Sequence, residues 1–171
     1  MKLLLACFAT ALLLSACGKK ISDTELMASA QKAYESKNVD EAMLLYQQLA
    51  DEDPDSPRAP EALFLLGSIQ QNDTKDFAKA VEILSGIDAK YPGTPHAGKG
   101  LFVSGFICAN TMDDVTRARG FYEKYLASYS ALDANITASV KVELEHLGKS
   151  ADETLKLLQQ DTVQQADGGG K

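Results

Sequence analysis

The chain repeats itself every 38 residues, and that constrains its fold more than anything else in it. Aligning residues 61–95 with 99–133 makes Leu63, Phe64, Gly67, Ile69, Asn72, Asp76, Ala80, Ala89 and Tyr91 recur as Leu101, Phe102, Gly105, Ile107, Asn110, Asp114, Ala118, Ala127 and Tyr129. The same offset backwards pairs Ala42 with Ala80, Pro54 with Pro92, Pro57 with Pro95 and Ala59 with Ala97. A fixed period of this size marks an array whose units are single supersecondary pieces, none able to bury its apolar face without a neighbour. Three copies are present.

Each unit reads as two helices. Residues 24–35, 61–71 and 99–109 carry apolar side chains at helical spacing, as in Leu63, Leu66 and Ile69 or Leu101, Gly105 and Cys108. Polar turns follow at 35–38, 72–76 and 110–114. Second helices are expected over 40–52, 77–90 and 115–129, with apolar faces of Ala42, Leu45, Tyr46 and Leu49; Ala80, Ile83, Leu84 and Ile87; and Ala118, Phe121, Tyr122 and Tyr125. Pro54 and Pro92 stop two of them, because proline lacks the N–H that a continuing helix needs. A further helix is expected over 136–147, ending at Gly148. Ser150 to Glu153 has capping-box spacing for a last helix running to about residue 165, which would cap the stack.

These residues resemble the tetratricopeptide (TPR) repeats. The resemblance rests on Leu26, Ala30, Ala42, Tyr46, Leu49 and Pro54 in unit one; Leu63, Gly67, Ala80, Leu84, Ile87 and Pro92 in unit two; and Leu101, Gly105, Ala118, Tyr122 and Tyr125 in unit three. It spans roughly residues 22–130 and implies an all-α solenoid of antiparallel helix pairs, with about three repeats and C-terminal capping helices. Units two and three exceed the usual 34 residues, and Ser130 stands where a closing Pro is usual. Gly67 is expected to pack near Ala80 and Gly105 near Ala118, letting paired helices approach to the 8–10 Å of packed helices. The resemblance also implies a concave surface lined by first helices. Its positions here are Met27, Gln31 and Tyr34; Phe64, Ser68 and Gln71; and Lys99, Phe102, Phe106 and Asn110, an apolar and aromatic set suited to a peptide. Phe64 and Phe102 could equally belong to the core between repeats.

The first sixteen residues are of another kind. Lys2 is followed by a run from Leu3 to Leu14 broken only by Thr10, too short for the about 20 residues that cross a membrane. This reads as a secretory signal. Leu14-Ser15-Ala16-Cys17 resembles the bacterial lipobox, which implies cleavage before Cys17 and acylation of that residue. Two or three acyl chains hold a protein on a membrane where one does so only marginally. The expected organisation is therefore a signal over 1–16, lipidated Cys17 and linker over 17–22, the repeat domain over 23–165 and a tail over 166–171. The lipobox resemblance also implies the outer membrane, because Gly18 rather than Asp follows the cysteine, as in the best-known lipoprotein sorting system.

The whole chain of 171 residues carries net charge −7; from Cys17 onward it has 16 basic and 24 acidic side chains, a net −8. That balance argues against sequence-independent nucleic-acid binding, which needs concentrated Lys and Arg. No chemistry is legible either. Gly148-Lys149-Ser150 lacks the upstream glycine of a phosphate loop, since Glu143 stands there. His96, placed in a loop over 95–98, and His146 lack companions at metal-ligand spacing, so no metal or cofactor is expected. Cys108 reads as a small buried hydrophobe. The acidic turn Asp51 to Asp55 is a solvated loop or a docking patch for a basic partner.

The expected role is that of a non-enzymatic, lipid-anchored periplasmic scaffold binding envelope proteins or peptides. The junctions at 53–59 and 91–97 resemble those of two envelope families, the TPR lipoprotein of the outer-membrane β-barrel assembly machinery and the periplasmic TPR protein beside the Tol–Pal system. A small-molecule-binding lipoprotein and a secretion-system pilotin are the alternatives.

Overall fold

A computed structural model of the protein describes residues 21–149 and residue 153. The signal, Cys17, its linker up to residue 20 and nearly all of the expected last helix and tail lie outside the described residues. Over residues 21–149 seven α-helices follow in order: α1 (Asp23–Glu35), α2 (Val39–Glu52), α3 (Ala59–Ile69), α4 (Phe77–Lys90), α5 (Pro95–Asn110), α6 (Val115–Tyr129) and α7 (Ala134–His146). No strand occurs among the described residues. The fold is an all-α, TPR-like solenoid in which α1/α2, α3/α4 and α5/α6 are the three units.

Local chemistry sets the helix ends. Ser22 and Glu25 form a capping box at the start of α1: Ser22 Oγ accepts from Glu25 N (3.2 Å) and Ser22 N donates to Glu25 Oε2 (3.1 Å). The recurrent Asp76 and Asp114 are the N-caps of α4 and α6, accepting from Lys79 N and Arg117 N at 3.0 Å each. The residue before each second-helix cap is left-handed without being glycine: Lys37 (φ 64°), Lys75 (φ 59°) and Asp113 (φ 53°). These three positions are 38 residues apart, so the backbone repeats with the period of the sequence.

Three local expectations need correction. The helix of unit two does not yield to a turn at residue 72; it runs on as a π-helix over Gln70–Thr74, with Thr74 Oγ1 donating to the Gln70 carbonyl (3.1 Å). His96 is not in a loop, because Thr94 caps α5 through Ala97 N (3.3 Å) and Pro95, with its φ already helical, begins the helix. The last described helix begins two residues earlier than expected, at Ala134, because Asp133 Oδ1 caps it by accepting from Asn135 N and Ile136 N.

Each helix packs on the next along the chain, and one continuous core runs through the stack. Gly67 and Gly105 do bring paired helices together, but one turn further along than expected. A Cβ on Gly67 would stand 2.6 Å from Leu84 Cγ, and one on Gly105 2.7 Å from Tyr122 Cδ1. Gly100 brings α5 against the backbone of α4, where a Cβ would overlap the Leu84 carbonyl oxygen. Leu84 is therefore gripped from both sides by glycines of successive first helices.

Between units the main packing is a second helix on the following first helix, and among like helices α3 touches α5 and α5 touches α7 more extensively than any second helix touches another second helix. The helices α3, α5 and α7 therefore lie along one side of the array. That arrangement sets the surface available to a partner.

Candidate binding surface

The open side of α5 carries Lys99, Phe102, Phe106 and Asn110 at successive helical turns. Lys99, Phe106 and Asn110 are exposed, and Phe106 keeps 41% of its surface accessible. Asn110 Nδ2 donates to the Phe106 carbonyl (3.1 Å), holding the amide along the helix. Phe102 is half-buried with its ring 6.4 Å from that of Tyr122. Phe64 on α3 is also half-buried and meets His96 of the next unit at 5.8 Å between ring centroids. Both phenylalanines therefore pack on the core with one side and leave the other accessible.

Toward unit one, Tyr34 is 38% exposed and its hydroxyl donates to Asp73 Oδ2 at 3.0 Å. That bond crosses from α1 to the π-helix of unit two, and it raises the phenol's pKa by favouring the neutral donor. Gln71 on the same π-helix is half-buried, while Gln70 turns its amide toward Met43 Sδ (3.5 Å). Met27 does not belong to this surface. It is only 3% exposed, a core residue between helices, so no ligand lying on the array could rest on it.

His96 is half-buried, and its pKa is lowered, chiefly because burial disfavours the imidazolium. Glu61 pulls it the other way and Lys99 adds to the lowering. An uncharged His96 beside Phe64 extends the apolar character of the surface. Cys108 is fully buried, and burial pushes its thiol up, which makes it unreactive. Among the described residues no group of three His, Cys, Asp or Glu side chains could hold a metal ion. No described helix is long and apolar enough to cross a membrane.

Sequence reasoning missed a set of polar ties between units. Tyr129 at the end of α6 donates its hydroxyl to Asp88 on α4 and accepts from Gly93 N (3.1 Å), while Lys124 pairs with the same Asp88. Burial alone would raise the Asp88 pKa, but the bonds from Lys124 and Tyr129 outweigh it and hold the carboxyl below its usual value. The recurrence of Tyr91 at Tyr129 was the available signal. The partner was not legible, because Asp88 has no counterpart in unit one, where Ala50 stands.

Units one and two match the tetratricopeptide repeat, over residues 26–56 and 61–94. The matched TPR segments coincide with α1/α2 and α3/α4. The third unit repeats their backbone, including the left-handed turn residue and the small residue seated on the second helix. TPR arrays serve as protein-interaction scaffolds, and this chain has a TPR-like helical-pair construction. No curated protein matches the chain.

Proposed function

We propose that this protein is a lipid-anchored scaffold of the bacterial periplasm that holds an envelope protein or peptide on the inner face of its TPR array, in outer-membrane protein assembly or envelope maintenance. The observation that carries the binding part is the stripe on α5, where exposed Phe106 stands one turn from half-buried Phe102 and is flanked by Lys99 and Asn110. Water-exposed aromatic rings beside a few amides and one cation suit a mixed apolar peptide better than a clamp for a terminal carboxylate, which needs several cations. The anchor part rests on Leu14-Ser15-Ala16-Cys17 and the apolar run before it. The reading takes the protein as non-catalytic.

A photoreactive residue at position 106, placed in the intact envelope, should capture a defined protein. The same residue at Leu44, which is 68% exposed on α2, should not. Capture at 44 and none at 106 would overturn the groove. Separately, Cys17→Ser should release the protein from membranes into the soluble fraction; retention would remove the anchor.

A further inference from the structure

The 38-residue offset lets the two seams between units be compared place by place. At the seam of units two and three, the Tyr129 ring lies against Gly98, where a Cβ would come within 3.0 Å of it, and its hydroxyl is satisfied by Asp88 and Gly93. Tyr129 is buried, and the cavity left beside it, lined by Pro95, Gly98, Tyr129 and Leu132, is only about 140 Å³. At the seam of units one and two the corresponding residues are Tyr91, Pro60, Ala50 and Asp55. Pro60 brings the side-chain atoms that Gly98 lacks, and Ala50 offers no carboxylate. Tyr91 stays half-buried, and a cavity of about 620 Å³ remains, walled by Pro54, Asp55, Pro57, Pro60, Lys90 and Tyr91.

The first described helix begins beside this cavity. Ser56, part of the cavity wall, donates to Asp23 Oδ2 at 2.6 Å, and Asp23 opens α1. Residue 20 is thus three residues from a side chain bonded to that wall, about 10 Å of extended backbone. Residues 18–20 are Gly-Lys-Lys, and the turn above the cavity carries Asp51, Glu52, Asp53 and Asp55. The Tyr91 phenol feels that field: its pKa is raised by burial first and then by Asp55 and Asp51.

We propose that the cavity between units one and two is the seat of the Lys19–Lys20 segment. A lysine lays its methylene stem along the prolines and the Tyr91 ring and brings its ammonium to Asp55 and Asp51, burying its stem while its charge stays in water. A short tether favours this occupant over a second copy, because it holds the lysines at high effective concentration. The consequence is orientation. Seams and intra-unit turns lie at opposite ends of the hairpins, so seating ties residues 17–20 to the seam edge. If Cys17 carries lipid, as in the function proposed above, the seam edge faces the bilayer and the turns at Lys37, Lys75 and Asp113 face away.

Zero-length carbodiimide crosslinking of the chain beginning at Cys17, read by mass spectrometry, tests the seat without lipid. The expected product joins Lys19 or Lys20 to Asp51 or Asp55 of the same molecule, and its yield falls several-fold between 0.1 and 1 M salt as the screening length drops from about 10 to about 3 Å. Links between two molecules, links only to carboxylates outside the seam, or no link would overturn the proposal. A second readout avoids the linker chemistry: joint Lys19→Gln and Lys20→Gln substitution should shift the backbone amide resonances of Asp55, Tyr91 and Thr94 and spare those of α7. Unmoved amides at the seam would sink the idea. Because neither measurement uses a membrane, both can fail while the Cys17→Ser release still succeeds, and the reverse.

Discussion

Gly105 and Gly120 show what single residues contribute. Both are interior positions of helices in unit three, yet a Cβ on Gly105 would press into the Tyr122 ring, whereas one on Gly120 would meet nothing within 4 Å. Tyr122 is fully buried with its hydroxyl toward Glu143 Oε2 (3.4 Å), and burial and that carboxylate push its pKa far above the usual phenol value, so the ring has little freedom to withdraw. Gly105→Ala should therefore destabilise the protein by about 1–3 kcal/mol. Gly120→Ala should stabilise it by about 0.5–1 kcal/mol, since the helix gains propensity at no steric cost. Thermal unfolding followed by circular dichroism separates the two, and opposite signs are the expected result. That Gly105 marks a close approach is legible in the sequence; that its neighbour is Tyr122 instead of Ala118 is not, because the offset along the facing helix depends on how the pair is staggered.

At the scale of elements, the three intra-unit turns and the seam network behave differently. Lys37, Lys75 and Asp113 hold a left-handed backbone that costs L-residues roughly 1–2 kcal/mol, and glycine adopts it without that strain. Lys75→Gly should raise the unfolding midpoint by a few degrees in a denaturant or thermal titration, with a drop arguing that Lys75 has a contact outweighing the strain. The seam network couples to pH. Asp88 has a folded pKa below its ordinary value of 3.8, so its contribution is present above about pH 4 and is lost as pH falls through the lower folded value. Wild type should lose more unfolding free energy between pH 5 and pH 2.5 than Asp88→Asn does, by chemical denaturation at each pH. Equal losses would mean that Lys124 and Tyr129 do not favour the charged carboxylate.

Over the whole molecule, the array is close to one-dimensional, since helices pack mainly on their sequence neighbours, with lighter contact of α3 on α5 and α5 on α7. Damage at one end should stay there. Val140 is the one α7 residue buried in the array, and Tyr125, held near Thr137 and the Asp133 carbonyl, packs beneath the same helix. Val140→Ala should speed amide hydrogen exchange in α6 and α7 while leaving α1–α3 unchanged; uniform acceleration would show instead a single cooperative unit.

The class of fold, the three units, their helix pairs and the stops at Pro54 and Pro92 are legible in the residues alone, because periodicity, caps and prolines act within one or two turns of chain. The sequence also put Lys99, Phe102, Phe106 and Asn110 on one stripe of α5 and left open whether Phe102 joins the core between repeats. Only long-range packing fixes that Met27 belongs to the core, that α3 continues as a π-helix so that Asp73 reaches Tyr34, and that one seam is tied by Asp88 while its counterpart keeps the larger cavity. Those outcomes depend on which side chain of a neighbouring unit arrives at a given place, and residues nearly forty positions apart leave no local pattern to announce it.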